Sequence, residues 1–205
     1  MRNFNIVKDQ SENLLSVQHF KHGFHGEILE RTEQLLDHAV ARSCKVYAVR
    51  LDFTYPEGYT MPPSNRIFSN CLNSLTQYLS RKKWLLGYIW RYELGEKSLG
   101  HWHLVLLLDG NRVQNSWGIL NKATQLWGSA LETEANGLVH LCQPNSPRSH
   151  FHSGFQLCKH QPEYQDVRTD VLGWLSYMAK CSEYPNSVLR QWGSSTINST
   201  GVQND

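Results

Sequence analysis

Apolar residues recur along this chain with two different periods, and the switches between the periods mark out its elements. Over Gly26–Ser43 the apolar positions Ile28, Leu29, Leu35, Leu36, Ala39 and Val40 fall at helical spacing with charged residues between them, which predicts a first amphipathic helix. Lys45–Phe53 (KVYAVRLDF) then alternates as a strand does, with Arg50 and Asp52 on one face, and the turn-prone YPEGY at Tyr55–Tyr59 ends it. Pro62 and Pro63 keep the next residues irregular, and Ser64 or Asn65 suits the cap of a helix reaching about Lys83. The stripe of that helix is Ile67, Phe68, Cys71, Leu72, Leu75 and Leu79. Two strands follow, Leu85–Glu93 and His101–Leu108, joined by the polar, Gly-containing Leu94–Gly100 as in a hairpin. Asp109-Gly110-Asn111 closes the second strand, Val113–Ala130 reads as another sheet-packing helix, and Leu138–Leu141 as a short strand. Pro144–Glu163 has no clear period and reads as a long loop with a strand near Gly154–Leu157. Helical spacing returns over Asp166–Ser182, and the polar stretch from Gly193 predicts a disordered tail.

Strands interleaved with helices around a central antiparallel hairpin argue for an α+β fold with helices packed on an antiparallel sheet. At 205 residues one domain suffices, and seven Trp with nine Tyr supply bulky core material. The five cysteines are isolated, with no C-x-x-C pair, which fits a reduced, cytoplasmic protein. No apolar run approaches the roughly 18 residues a membrane span needs, and the amino end lacks a signal-peptide core. A net charge of +2 announces no nucleic-acid partner, so any such surface must be local. Arg81, Lys82 and Lys83 form one basic cluster, which taken alone reads better as a solvated helix end, where cations favour the dipole.

The stretch with most chemical content is Tyr88–Leu108, YIWRYELGEKSLGHWHLVLLL. His101 and His103 lie two residues apart at the mouth of an apolar strand, so both imidazoles point the same way. Folding the hairpin brings Glu93 beside them, and two nitrogens with one oxygen make a site for a divalent metal with open positions. Asp52 or Glu96 could take the carboxylate's place. A second His-x-His at His150–His152 lies among Pro, Ser and Arg and reads as loop, and His22 and His25 read as surface residues. On the last predicted helix Tyr177 and Lys180 stand three residues apart and share a face. A phenol can act as a covalent nucleophile when a nearby cation or polarised electrophile activates it. Metal triad, tyrosine and lysine together describe transesterification of a phosphodiester.

In this order, His-hydrophobe-His after an upstream Glu and then Tyr-x-x-Lys, the chain resembles the HUH endonucleases found among rolling-circle replication initiators. It is most similar to the YagK/YfjJ-type replication proteins of inoviruses and prophages. The resembling pieces are VRLDF at Val49–Phe53, YIWRYE at Tyr88–Glu93, GHWHLVLLLDG at Gly100–Gly110, LWGSAL at Leu126–Leu131, GLVH at Gly137–His140, SYMAK at Ser176–Lys180 and RQWGSS at Arg190–Ser195. The resemblance implies an RRM-like central antiparallel sheet, Mg2+ or Mn2+ bound by His101 and His103 with Glu93, and nicking of single-stranded or hairpin origin DNA. Tyr177 would become joined to the 5′ phosphate, and Lys180 would position the phosphate or metal. Arg50 and Arg91, with Lys82 and Lys83, are expected to contact DNA, and strand separation and synthesis would fall to a separate helicase and polymerase. On this reading residues 1–43 are an N-terminal helical extension, 44–193 the nicking domain and 194–205 a polar tail. A non-cleaving DNA-binding regulator on the same fold is the main alternative. A two-His-one-carboxylate iron oxygenase and a small zinc hydrolase are the others.

Overall fold

The computed structural model describes residues 4–8, 14–18, 23–59, 65–93, 100–149, 153–181 and 190–197. Its centre is a sheet of six antiparallel strands: β3 (Lys45–Thr54), β4 (Leu85–Glu93), β5 (His101–Asp109), β6 (Val139–Leu141), β7 (Phe155–Cys158) and β8 (Trp192–Ser194). The order is β6-β3-β5-β4-β8, with β7 pairing the other half of the same β3 edge that β6 uses. The fold is thus α+β, as the alternation of periods requires.

Strand alternation divides the core in two. Tyr47, Val49, Leu51 and Phe53 of β3 and Trp102, Leu104, Leu106 and Leu108 of β5 face helices α2 (Asn65–Arg81) and α3 (Trp117–Leu131). Phe68 sits at the middle of this layer, stacked on Trp102 at 4.3 Å and edge-on to Phe53, Trp90 and Trp127. Val46, Ala48, Val105 and Leu107 point the other way, against α1 (Gly26–Arg42) and α4 (Tyr164–Leu175). Because His101 and His103 continue the Val105–Leu107 face, the histidines belong to the α1/α4 side.

The helix expected over Gly26–Ser43 is α1, and it is part of the core: Leu35, Leu36 and Ala39 are fully buried under the sheet. Arg168 of α4 holds Glu33 and Asp37 of α1 at 3.0 and 2.8 Å, and Arg31 of α1 donates to Ser194 Oγ and Ser195 O beside β8. Three expectations need correction. Ahead of α1, where the sequence suggested no element, β1 (Phe4–Lys8) and β2 (Leu14–Gln18) pair antiparallel. The last helix stops at Leu175 and tightens into a 3₁₀ turn, Ser176–Ala179. The expected tail begins with β8, whose Gly193 lies where a Cβ would come within 2.9 Å of the Trp90 indole. The 94–99 loop, Pro62, Pro63, Ser64, His22, Glu96, the His150–His152 pair and residues 198–205 lie outside the described residues.

Gly154, which leads into β7, leaves no room for a side chain: a Cβ there would lie 2.3 Å from the Ala48 carbonyl oxygen. The obstacle is backbone of the central strand and cannot turn aside. Gly154→Ala is therefore expected to destabilise the fold by about 1–3 kcal/mol, the usual range for overpacking. In a chain of this size that lowers the melting temperature by several degrees. A thermal melt unchanged from wild type would show that the β7 edge has slack.

Candidate metal centre and its tyrosine

Register across three strands assembles the site. Asp52 of β3 and Arg91 of β4 both pair with His103 of β5, and Thr54 and Glu93 both pair with His101 one rung further on. His103 is buried, with Nδ1 2.6 Å from Asp52 Oδ1 and Nε2 3.1 Å from Glu93 Oε2. His101, less buried, places Nε2 3.8 Å from the same Glu93 oxygen. One ligand atom from each of Glu93, His101 and His103 lies within 4.8 Å of the others. Two imidazoles and a carboxylate at this spacing fit a divalent cation with open coordination positions.

Geometry separates the roles of two of the three candidate carboxylates, Asp52 and Glu93, while Glu96 lies outside the described residues. Asp52 occupies the nitrogen of His103 that faces away from Glu93, which makes it the orienting partner of a ligand histidine and leaves the ligand role to Glu93. Carboxylates in that position fix the ring's tautomer and raise its basicity. Asp52→Asn is accordingly expected to weaken metal binding by about 10–100-fold without unfolding the chain, measurable by titration calorimetry. An unchanged affinity would mean that Asp52 does not orient His103.

Electrostatics couple the group. Burial alone would raise the Glu93 carboxyl, but hydrogen bonds from His103 and Lys180 outweigh it and hold the group well below the usual carboxylate range. Burial would likewise raise Asp52, and the bond to His103 brings it down. For His103 burial acts downward, yet its bonds to Asp52 and Glu93 win and its pKa rises. His101 is lowered, by burial first and by His103 next. Without metal, the arrangement favours the protonated ring at His103, held between two carboxylates.

Tyr177 and Lys180 arrive from the far side. Tyr177 lies on the 3₁₀ turn and Lys180 directly follows it, its N–H donating to the Tyr177 carbonyl at 3.2 Å, so the two stay together although the helix has ended. Tyr177 Oη donates to Glu93 Oε2 at 3.2 Å and Lys180 Nζ to Glu93 Oε1 at 2.6 Å, while the tyrosine ring stands edge-on to His103 with centres 5.0 Å apart. The turn is clamped on both sides. Arg91 Nη1 donates to the Met178 carbonyl at 2.9 Å, and the chain at Gly23–His25 pairs with it through His25 N to Ala179 O and Cys181 N to Gly23 O. Burial, and then the Glu93 carboxylate, push the Tyr177 phenol well above its ordinary value, with Arg50 acting against them.

Not every expected DNA contact lies here. Arg91 is buried and spends a donor on Met178, so its place is structural support of the tyrosine turn. Arg50 is buried beneath the Tyr177 ring, its guanidinium carbon 4.5 Å from the ring centre. Lys82 and Lys83 are exposed but follow α2, on the layer opposite the histidines, where Lys82 Nζ lies 5.2 Å from the Trp84 ring centre. Trp117, the large exposed aromatic among the described residues, opens α3 on that same layer. The Gly23–His25 clamp carries no motif in the sequence that would have identified it.

Among the described residues no helix is long and apolar enough to cross a membrane. Comparison with curated proteins and with solved structures finds no match. Across residues 7–195, from β1 through β8 and including every residue of the site, the chain matches the YagK/YfjJ C-terminal domain, and it belongs to that family.

Proposed function

We propose that this protein nicks and joins single-stranded DNA at a specific site through a 5′-phosphotyrosine intermediate, the reaction that starts rolling-circle replication of a phage, prophage or plasmid. One observation carries the reading: a single carboxylate, Glu93, is shared by both histidines, the Tyr177 hydroxyl and the Lys180 ammonium. A tyrosine tied to a candidate metal centre supports covalent attack on a phosphodiester. Mg2+ or Mn2+ held by Glu93, His101 and His103 would supply Lewis-acid polarisation of the phosphate. Tyr177 Oη forms the bond to phosphorus as the bond from phosphorus to the 3′ oxygen breaks. The phenolic proton leaves to solvent, and the departing 3′ oxygen is protonated to a free hydroxyl. Lys180 neutralises charge beside the phenol and is within reach of an incoming phosphate. Rejoining runs the same steps backwards with a new 3′ hydroxyl.

The test incubates purified protein with a labelled pool of single-stranded DNA that includes the replicon's own intergenic region, with Mn2+, Mg2+ or chelator, and resolves the products under denaturing conditions. A metal-dependent band of protein joined to DNA is the expected result. DNA binding with no covalent product under either metal would favour the non-cleaving regulator.

A further inference from the structure

Beneath the Tyr177 ring lies a group of donors that the nicking chemistry does not use. Arg50, two residues before Asp52 on the same face of β3, is 92% buried, with its guanidinium carbon 4.5 Å from the Tyr177 ring centre and 5.5 Å from that of Trp174. Its Nε and Nη1 are fully buried and have no hydrogen-bond partner, and neither has Trp174 Nε1. Buried donors are nearly always satisfied, so three orphans around one guanidinium call for an acceptor. The neighbours provide little for these atoms: Asp52 is committed to His103, and the Cys142 thiol, which does interact with the Arg50 side chain, is pushed up to about 12 by burial and is a neutral, weak acceptor at neutral pH.

We infer that Arg50 and Trp174 form a pocket for one backbone phosphate of the nucleic-acid strand, covered by the Tyr177 ring until the strand is engaged. The inference rests on the proposed reaction, since it takes the strand to be the ligand. The site is built of N–H donors and a positive charge, and a phosphate offers acceptor oxygens and a negative charge. A guanidinium and an indole N–H also match the forked geometry of a phosphodiester better than a lysine would. The cover is the stacking itself: the Tyr177 ring lies over the guanidinium, so a shift of that ring when the strand is engaged uncovers the donors that hold the adjoining phosphate.

The indole N–H of Trp174 reports on this directly. Protein labelled with 15N at tryptophan gives seven indole signals, and Trp174→Phe identifies the one that matters. With chelator present, a short oligothymidylate is expected to move the Trp174 signal saturably. In Arg50→Gln the other indole signals keep their positions and the strand affinity of the Trp174 response falls by about tenfold or more, while Arg50→Lys, which keeps charge and loses the fork, lies between. Should Arg50→Gln fail to fold, the wild-type titration and the Lys variant decide alone. A Trp174 signal that stays still up to millimolar oligothymidylate overturns the pocket. So does a signal that moves with inorganic phosphate but not with the strand, since the site would then serve a free anion. The covalent-adduct assay separates the two readings. Movement of Trp174 without any adduct retires nicking and leaves the pocket, and adduct formation with a stationary Trp174 does the reverse.

Discussion

Tyr177→Phe is expected to abolish the covalent protein–DNA product while leaving fold, metal binding and DNA binding in place. The substitution removes one oxygen. In the resting protein that oxygen donates a 3.2 Å bond to Glu93, which keeps its partners Lys180 and His103, so the carboxylate is not left unsatisfied. The ring, which packs edge-on to His103 and over Arg50, is unchanged in shape. Loss of product should therefore be complete with little effect on stability, unlike a contribution from general acid–base catalysis, whose removal typically leaves 10²–10⁴-fold less but finite activity. Thermal melting, metal titration and a denaturing gel on the same preparation check all three parts. Residual adduct at a tenth of the wild-type yield would mean that another residue attacks, and a zinc-hydrolase mechanism would show slowed release of free product with no adduct in either protein.

The second large effect is competition between metal and proton at His103. Without metal, its Nδ1 and Nε2 face Asp52 and Glu93, an arrangement that favours the doubly protonated ring and raises its pKa above the ordinary 6.5. A ligand nitrogen must be free of its proton, so binding of a cation expels one. Below the raised pKa, metal affinity is expected to climb by about tenfold for each unit of pH, and to level off above it. His101, lowered by burial and by its neighbour, is already neutral near pH 7 and adds no second proton there. The stability of the metal-free protein runs the other way. A group whose folded pKa is raised stabilises fully below its unfolded value, so the His103 contribution is present below about 6.5 and is lost as pH rises through the folded value. Calorimetry in buffers of different ionisation heat counts the released proton. An affinity independent of pH between 6 and 8 would show that His103 binds no proton in the metal-free state. Asp52→Asn should remove much of the effect, because it takes away one of the two anions that raise the ring.

Much of the architecture was legible in the pattern of apolar residues. Four helices and the strands β3, β4 and β5 appear where the 3.6-residue and two-residue periods place them, because each buries one face against the others and the period records which. The two histidines were legible as a same-face pair for the same reason, and Glu93 as their partner because a hairpin returns the chain antiparallel to itself. Of the short elements, β6 and β7 were read near their places, and β1, β2 and β8 were not. β8 is only three edge residues, and β1 and β2 are five residues each, too short for a period to stand out from the sequence around them. Whether Asp52 binds metal or orients a ligand depends on which nitrogen of His103 it meets. That follows from a cross-strand register between residues about fifty positions apart, which no local pattern encodes. The same holds for Arg50 and Arg91. Their charge suggested exposure to DNA, but packing of the 3₁₀ turn against the sheet buries one beneath a tyrosine and sets the other to hold a backbone carbonyl. By itself the sequence determined the residue types and the faces they occupy, through the local periodicity of hydrophobic burial. Only the tertiary structure decided that Tyr177 and Lys180 meet Glu93, since that contact spans more than eighty residues and depends on the helix ending early, at Leu175.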